Sequence, residues 1–437
     1  MSCANAKNER LLIFDENNRQ HAKAEGRIII AKRLVFHVGG YDPITPAGSA
    51  RRRFVRELAR FERTWSVEAS IGALQETPTQ AKWSVITRGP NWCVESDYRL
   101  IRWDDVIEKF SGQSIWRRIP FGIIALIDFI WAGALRGYLR TNWHYAIFFL
   151  YPFVMFGFFI AAACVAGAYA FHSSDSIVLA AAACLCVLSA LLLGPWRWLR
   201  LDTLFDDWIF ARDYVRSGNS NIEKRLDSIA REIIVAARNS GADEILLIGH
   251  SLGAVLAVDL LDRALKLNHA LGATGTPITF LSIGSSILKI GLHGAASRFR
   301  AAVEHVGRAL GIFWGDCQAR IDIMNFYNID PMAEMSLPSK YGPVIRLVEF
   351  GRMLQHDVYR RIRLKFYRLH CQFISGNDKR ASYDYFMLVC GPISARYQIL
   401  APDGALSVIG EDGSLKADIP GHRASVSSER TPQTYRL

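Results

Sequence analysis

At 437 residues the chain can hold one elaborated α/β domain with an insertion, or two average domains. Half of it is hydrophobic, but the apolar residues crowd into 145–194, which places a membrane segment inside an otherwise soluble composition. The net charge of +11 comes without a nucleic-acid motif, and its arginines flank the apolar block, so the expected partner is the bilayer and not nucleic acid.

Residues 1–30 are polar, with one short apolar run at 11–14 and no signal-peptide core, so the soluble parts are expected in the cytosol. The first part of the α/β domain is read over 31–118. A buried strand at 33–40 ends in Gly39-Gly40, a basic amphipathic helix covers 49–65, and strands follow at 82–87 and 98–103. Next comes a membrane insertion over 119–200. Its first part, 119–139, is apolar but carries Asp128, and a carboxylate at the centre of a span costs roughly 2.5–3.5 kcal/mol. An interfacial helix is therefore expected there.

Segments 145–171 and 176–194 are each long enough to cross a bilayer core of about 30 Å. The link His172-Ser173-Ser174-Asp175 has no Lys or Arg, whereas Arg117, Arg118, Arg136 and Arg140 precede the pair and Arg197 and Arg200 follow it. Both ends of the hairpin, both termini and the soluble domain are accordingly expected on the cytoplasmic side. Two spans also leave the strands before 110 and after 240 on one side, free to share a sheet; three would separate them.

The second part of the domain is read over 201–400, with helices at 222–239 and 251–267 and strands at 244–248, 277–283, 321–328 and 368–374. Alternating strands and helices imply an α/β fold with a doubly wound, mostly parallel sheet. The tail, 401–437, is rich in Gly, Ser, Asp and Pro and reads as mobile. None of the eight cysteines forms a CxxC pair or a His/Cys cluster of zinc spacing, so neither a metal nor a disulfide framework is expected.

Chemistry concentrates at Gly249-His250-Ser251-Leu252-Gly253, where a strand runs into a helix. Gly249 and Gly253 remove side chains that would clash in so sharp a turn, and the turn exposes the Ser251 hydroxyl at the carboxyl end of a sheet. The helix start favours negative charge, and the Leu252 N–H can donate to an oxyanion. This stretch resembles the nucleophile elbow of the lipase/esterase branch of the α/β-hydrolase superfamily, over about 220–330.

The resemblance implies a Ser, Asp, His order along the chain. It points to Asp330, at the end of the 321–328 strand and before Pro331, as the acid. As the base it points to a downstream histidine: His370, at the head of the apparent last strand, ahead of His356 and His422. No histidine stands in the loop 376–382 before Tyr383-Asp384-Tyr385-Phe386, where related lipases often carry it. Gly39 and Gly40, following His37, resemble the loop that supplies the second oxyanion donor.

The expected activity is that of a membrane-anchored serine hydrolase acting on lipid or acyl esters, with no cofactor. A non-catalytic scaffold of the same fold is the alternative, and a transporter component explains the spans but not the elbow.

Overall fold

The computed structural model describes residues 27–41, 47–216, 218, 220–417 and 419; the apolar run at 11–14, Cys3 and His422 lie outside them. Nine strands form one mixed sheet: β1 (Lys32–Val38), β2 (Glu68–Ile71), β3 (Gln75–Glu76), β4 (Gln80–Gly89), β5 (Trp92–Ile101), β6 (Glu244–His250), β7 (Ile278–Ile283), β8 (Ile312–Ala319) and β9 (Val344–Val348). Their order is β2-β4-β5-β1-β6-β7-β8-β9, with β3 on β4. The run from β5 to β9 is parallel throughout, and the β4–β5 hairpin adds the antiparallel side.

Uninterrupted apolar runs suit strands covered on both faces. Leu34, Phe36, Ile245 and Leu247 join one core, with helices Leu201–Arg216, Ser220–Asn239 and Gly253–Leu267. Val35, Leu246 and Ile248 join the other, with helices Ala47–Trp65 and Tyr385–Cys390. At the base of the sheet Arg33, fully buried, pairs its Nε with Glu244 at 3.1 Å.

Two expected strands are corrected. Segment 321–328 forms turns, and the strand is β8, just upstream. In β8 Gly315, Asp316 and Gln318 break the apolar run, yet Asp316 is buried between the Ser282 hydroxyl at 2.5 Å and Gln318 at 2.6 Å. Segment 368–374 is helical, split between Phe366–His370 and the 3₁₀ turn Cys371–Ile374; the last strand is β9. Leu369 and Phe373 face the core together, a spacing of four that suits a helix. The tail is docked as far as 417: Ile409 bridges to Leu415, whose N–H donates to Asn91 at 2.7 Å.

Among the described residues, two helices are long and apolar enough to cross a membrane, Trp143–Ser174 and Ile177–Trp198. Their 32 and 22 residues span about 48 and 33 Å at 1.5 Å per residue, against a hydrocarbon core of about 30 Å. Before them, helices Ile115–Trp131 and Ala134–Thr141 meet at a 67° bend at Gly133. One face of the first exposes Trp116, Ile123, Ile127 and Trp131, while Arg118, Gly122, Ala125 and Phe129 are buried. Asp128 is held by a two-pronged pairing with Arg216, at 2.5 and 3.1 Å, so its charge faces protein. Because β5 and β6 both pair with β1, any membrane crossings of the chain between them must be even in number. With the two long helices as spans, that count leaves the bent pair on the side of the sheet.

Candidate functional site

Strand β6 is buried along its whole length and ends directly at Ser251, whose backbone is left-handed at φ +55°. A non-glycine residue in that region is strained and persists only where its surroundings enforce it. Here β7 does so: the Ser251 N–H donates to the Ile283 carbonyl at 3.0 Å, and the Ser251 carbonyl accepts from Ser286 at 3.1 Å. Helix Gly253–Leu267 starts two residues later. A Cβ on Gly253 would overlap the Val38 carbonyl oxygen, and one on Gly249 would reach the Ala254 amide nitrogen at 2.8 Å. The sharp turn needs both glycines for close backbone approach.

The loop after β1 touches the same point. A Cβ on Gly40 would lie 2.9 Å from the Ser251 Cβ and 3.5 Å from its Oγ. Among the described residues, the backbone N–H groups of Leu252 and Gly40 have no acceptor. Both residues adjoin Ser251, Leu252 in sequence and Gly40 in space.

His370 lines the same cavity as Ser251, from the end of a short helix and not the head of a strand. It is buried, and its Nδ1 lies 2.7 Å from Asp322 Oδ2. Since the carboxylate accepts, Nδ1 donates, and in the neutral ring the lone pair is on Nε2. That Nε2 is buried with no hydrogen-bond partner; His370 and Ser251 line the same cavity but are not hydrogen-bonded to each other. Such contacts are often long without substrate.

Asp322 sits in the turn that follows β8, clamped by Asn325. The Asn325 amide donates to the carbonyls of Ala319 at 2.9 Å and Asp322 at 2.6 Å and accepts from the Ala319 N–H at 3.1 Å. Asp330 does not reach His370. Its carboxylate caps helix Pro331–Glu334, accepting from Met332 at 2.8 Å and Ala333 at 3.3 Å, and burial raises its pKa. Sequence reasoning missed Asp322 because β8 went unread; with that strand placed, it is the first acid after it. Of the other histidines, His356 lies exposed on helix His356–Ile362.

The cavity encloses about 180 Å³. Two further imidazoles line it. The His250 ring lies with its centroid 4.7 Å from that of His370, and burial, with His370 and His37 nearby, holds it well below the usual imidazole range. Of the two neighbouring rings, His250 therefore stays neutral. His37 Nδ1 lies 2.6 Å from the Tyr385 hydroxyl and 2.8 Å from that of Tyr98, which are 2.8 Å from each other. Tyr385 follows the loop 376–382 where a histidine was sought, and it braces the strand leading to Gly39-Gly40.

Burial pushes His37 down to about 3. The folded protein keeps it neutral while the unfolded chain protonates it below its ordinary value, so its stability contribution is lost as pH falls from about 6.5 to 3. The stability gap between wild type and His37→Gln is expected to narrow by about 1.4 kcal/mol per pH unit across that window. Paired denaturant titrations from pH 7 to pH 4 check this, and a gap constant with pH would contradict it.

Among the described residues, no group of three or more His, Cys, Asp or Glu is placed to hold a metal ion. In comparisons with known protein families, with curated proteins and with solved structures, nothing matches this chain.

Proposed function

We propose that the protein is a membrane-anchored serine hydrolase of α/β-hydrolase type, cleaving lipid or acyl esters through an acyl-serine intermediate. The observation that carries this reading is the buried His370–Asp322 pair, whose imidazole lines one cavity with a serine held at a strained strand-to-helix turn. Ser251, Asp322 and His370 also follow one another in the order such enzymes use.

In this mechanism His370 Nε2 takes the Ser251 proton as Oγ bonds to the ester carbonyl carbon. The Leu252 and Gly40 N–H groups hold the oxyanion, and Asp322 stabilises the imidazolium. The C–O bond to the leaving alcohol then breaks, and His370 returns the proton to that oxygen. Water repeats the sequence on the acyl-serine and releases the acid. No cofactor is required. The basic flanks of the hairpin and its uncharged-to-acidic tip favour a cytoplasmic position for the hydrolase domain.

The test is labelling of detergent-solubilised protein with a fluorophosphonate probe. Wild type is expected to label and Ser251→Ala to lose all labelling. The unmade Ser251–His370 hydrogen bond gives weight to a second reading, a non-catalytic scaffold of the same fold. A folded wild type that resists the probe would decide for it.

A further inference from the structure

One wall of the cavity belongs to the membrane base. Phe366 lines it and packs on Phe148 and Tyr151 of the first long helix, with ring centroids 6.2 and 6.1 Å apart. Arg200 lines it too, two residues beyond the second long helix, exposed and left-handed at φ +56°. Its guanidinium carbon stands 4.1 Å over the ring of Tyr367, another lining residue. The first residues past a span lie at the depth of lipid headgroups.

The charges around the cavity are uneven in one respect. Each lining carboxylate has a cation of its own: Glu57 has Arg56 at 3.0 Å and Arg60 at 3.2 Å, Asp104 has Arg102 at 2.7 Å, and Asp207 has Lys289 at 2.6 Å. Arg200 has a ring beneath it and, among the described residues, no carboxylate. Stacking fixes the plane of a guanidinium and leaves its N–H edge to bind, and that edge matches two oxygens of a phosphate.

Resting on the hydrolase reading, we propose that the substrate is an acyl ester lipid bearing a phosphate. Arg200 grips the phosphate at the membrane side of the cavity while the acyl carbonyl meets Ser251. A neutral acylglycerol lacks the group that would engage this arginine. The chemistry is shared by a bilayer phospholipid and by a short, water-soluble acyl glycerophosphate, and the two are separated by testing both.

The experiment compares kcat/KM for matched acylglycerols with and without a phosphate. Long chains are presented in neutral-detergent micelles and short chains as monomers, using wild type, Arg200→Gln and Arg200→Lys. Wild type is expected to favour the phosphate-bearing ester about tenfold or more. Arg200→Gln lowers that ratio about tenfold, mainly through KM, and Arg200→Lys retains part of it. Because the readout is a ratio, a loss of folded protein cancels.

Preference in both formats supports recognition of the phosphate itself, and preference with long chains alone supports a bilayer lipid, provided Arg200→Gln abolishes it. Equal rates for the two esters in wild type, or a ratio untouched by Arg200→Gln, overturn the assignment. If fluorophosphonate labels Ser251 in the same preparation, only the headgroup assignment then falls. If it does not label, the hydrolase reading falls with it.

Discussion

Asp322→Asn is expected to lower kcat/KM toward an acyl ester by about 10³–10⁴-fold while leaving the protein folded. An amide in place of the carboxylate no longer requires a proton on His370 Nδ1. Nε2 then carries the proton and has no lone pair to accept one from Ser251. The Asp322–His370 contact is 2.7 Å and buried, so no water takes over the lost role.

Asp330→Asn provides the contrast. Asn caps helices about as well as Asp, and among the described residues the Asp330 carboxylate accepts hydrogen bonds from the start of helix Pro331–Glu334. Rates within about twofold of wild type are expected. Steady-state rates and fluorophosphonate labelling rates for the two variants decide between these acids. A silent Asp322→Asn beside an inactive Asp330→Asn would reverse the assignment.

The second large effect is on stability. Arg33 donates from Nη1 to the Gly391 carbonyl and from Nη2 to that of Ile393, both at 2.8 Å, besides its bond to Glu244. Glu244 also accepts from the Thr279 hydroxyl at 2.9 Å and the Ala395 N–H at 3.1 Å. Glu244→Leu leaves a guanidinium charged and buried without its counter-ion, a defect that costs about 3–5 kcal/mol. Glu244→Gln keeps an acceptor and is expected to cost less. Thermal and urea unfolding in detergent measure both, and equal midpoints for wild type and Glu244→Leu would refute the argument.

Those expectations depend on features unequally visible in the residues. β1 and β6 were legible because strands buried on both faces need unbroken apolar runs, and the elbow because its two glycines stand where the turn leaves no room. β8 was illegible because a glycine and two polar side chains interrupt it, and the hydrogen bonds that reconcile those groups with burial come from β7 and the following loop. Losing that strand drew attention to Asp330 and away from Asp322, the carboxylate that pairs with His370. His370 was reached on the wrong local structure, since its helical spacing resembles a strand only when read for apolarity. The His37, Tyr98 and Tyr385 cluster draws on three distant segments, and no local pattern could announce it.

The pairing of β1 with β6 has a consequence for biosynthesis. Arg33 and Glu244, partners across that ladder, are 211 residues apart, a distance the ribosome covers in roughly 10–40 s. Once β5 has been made β1 can pair with it, but until β6 follows β1 presents a bare edge on its other side, a liability for a nascent chain. The two long apolar helices are translated before β6. The hairpin is thus available for insertion while the turn around Ser251 does not yet exist. The long apolar helices precede the turn around Ser251 by the order of translation alone, and a chain halted before residue 244 would carry both helices without the serine.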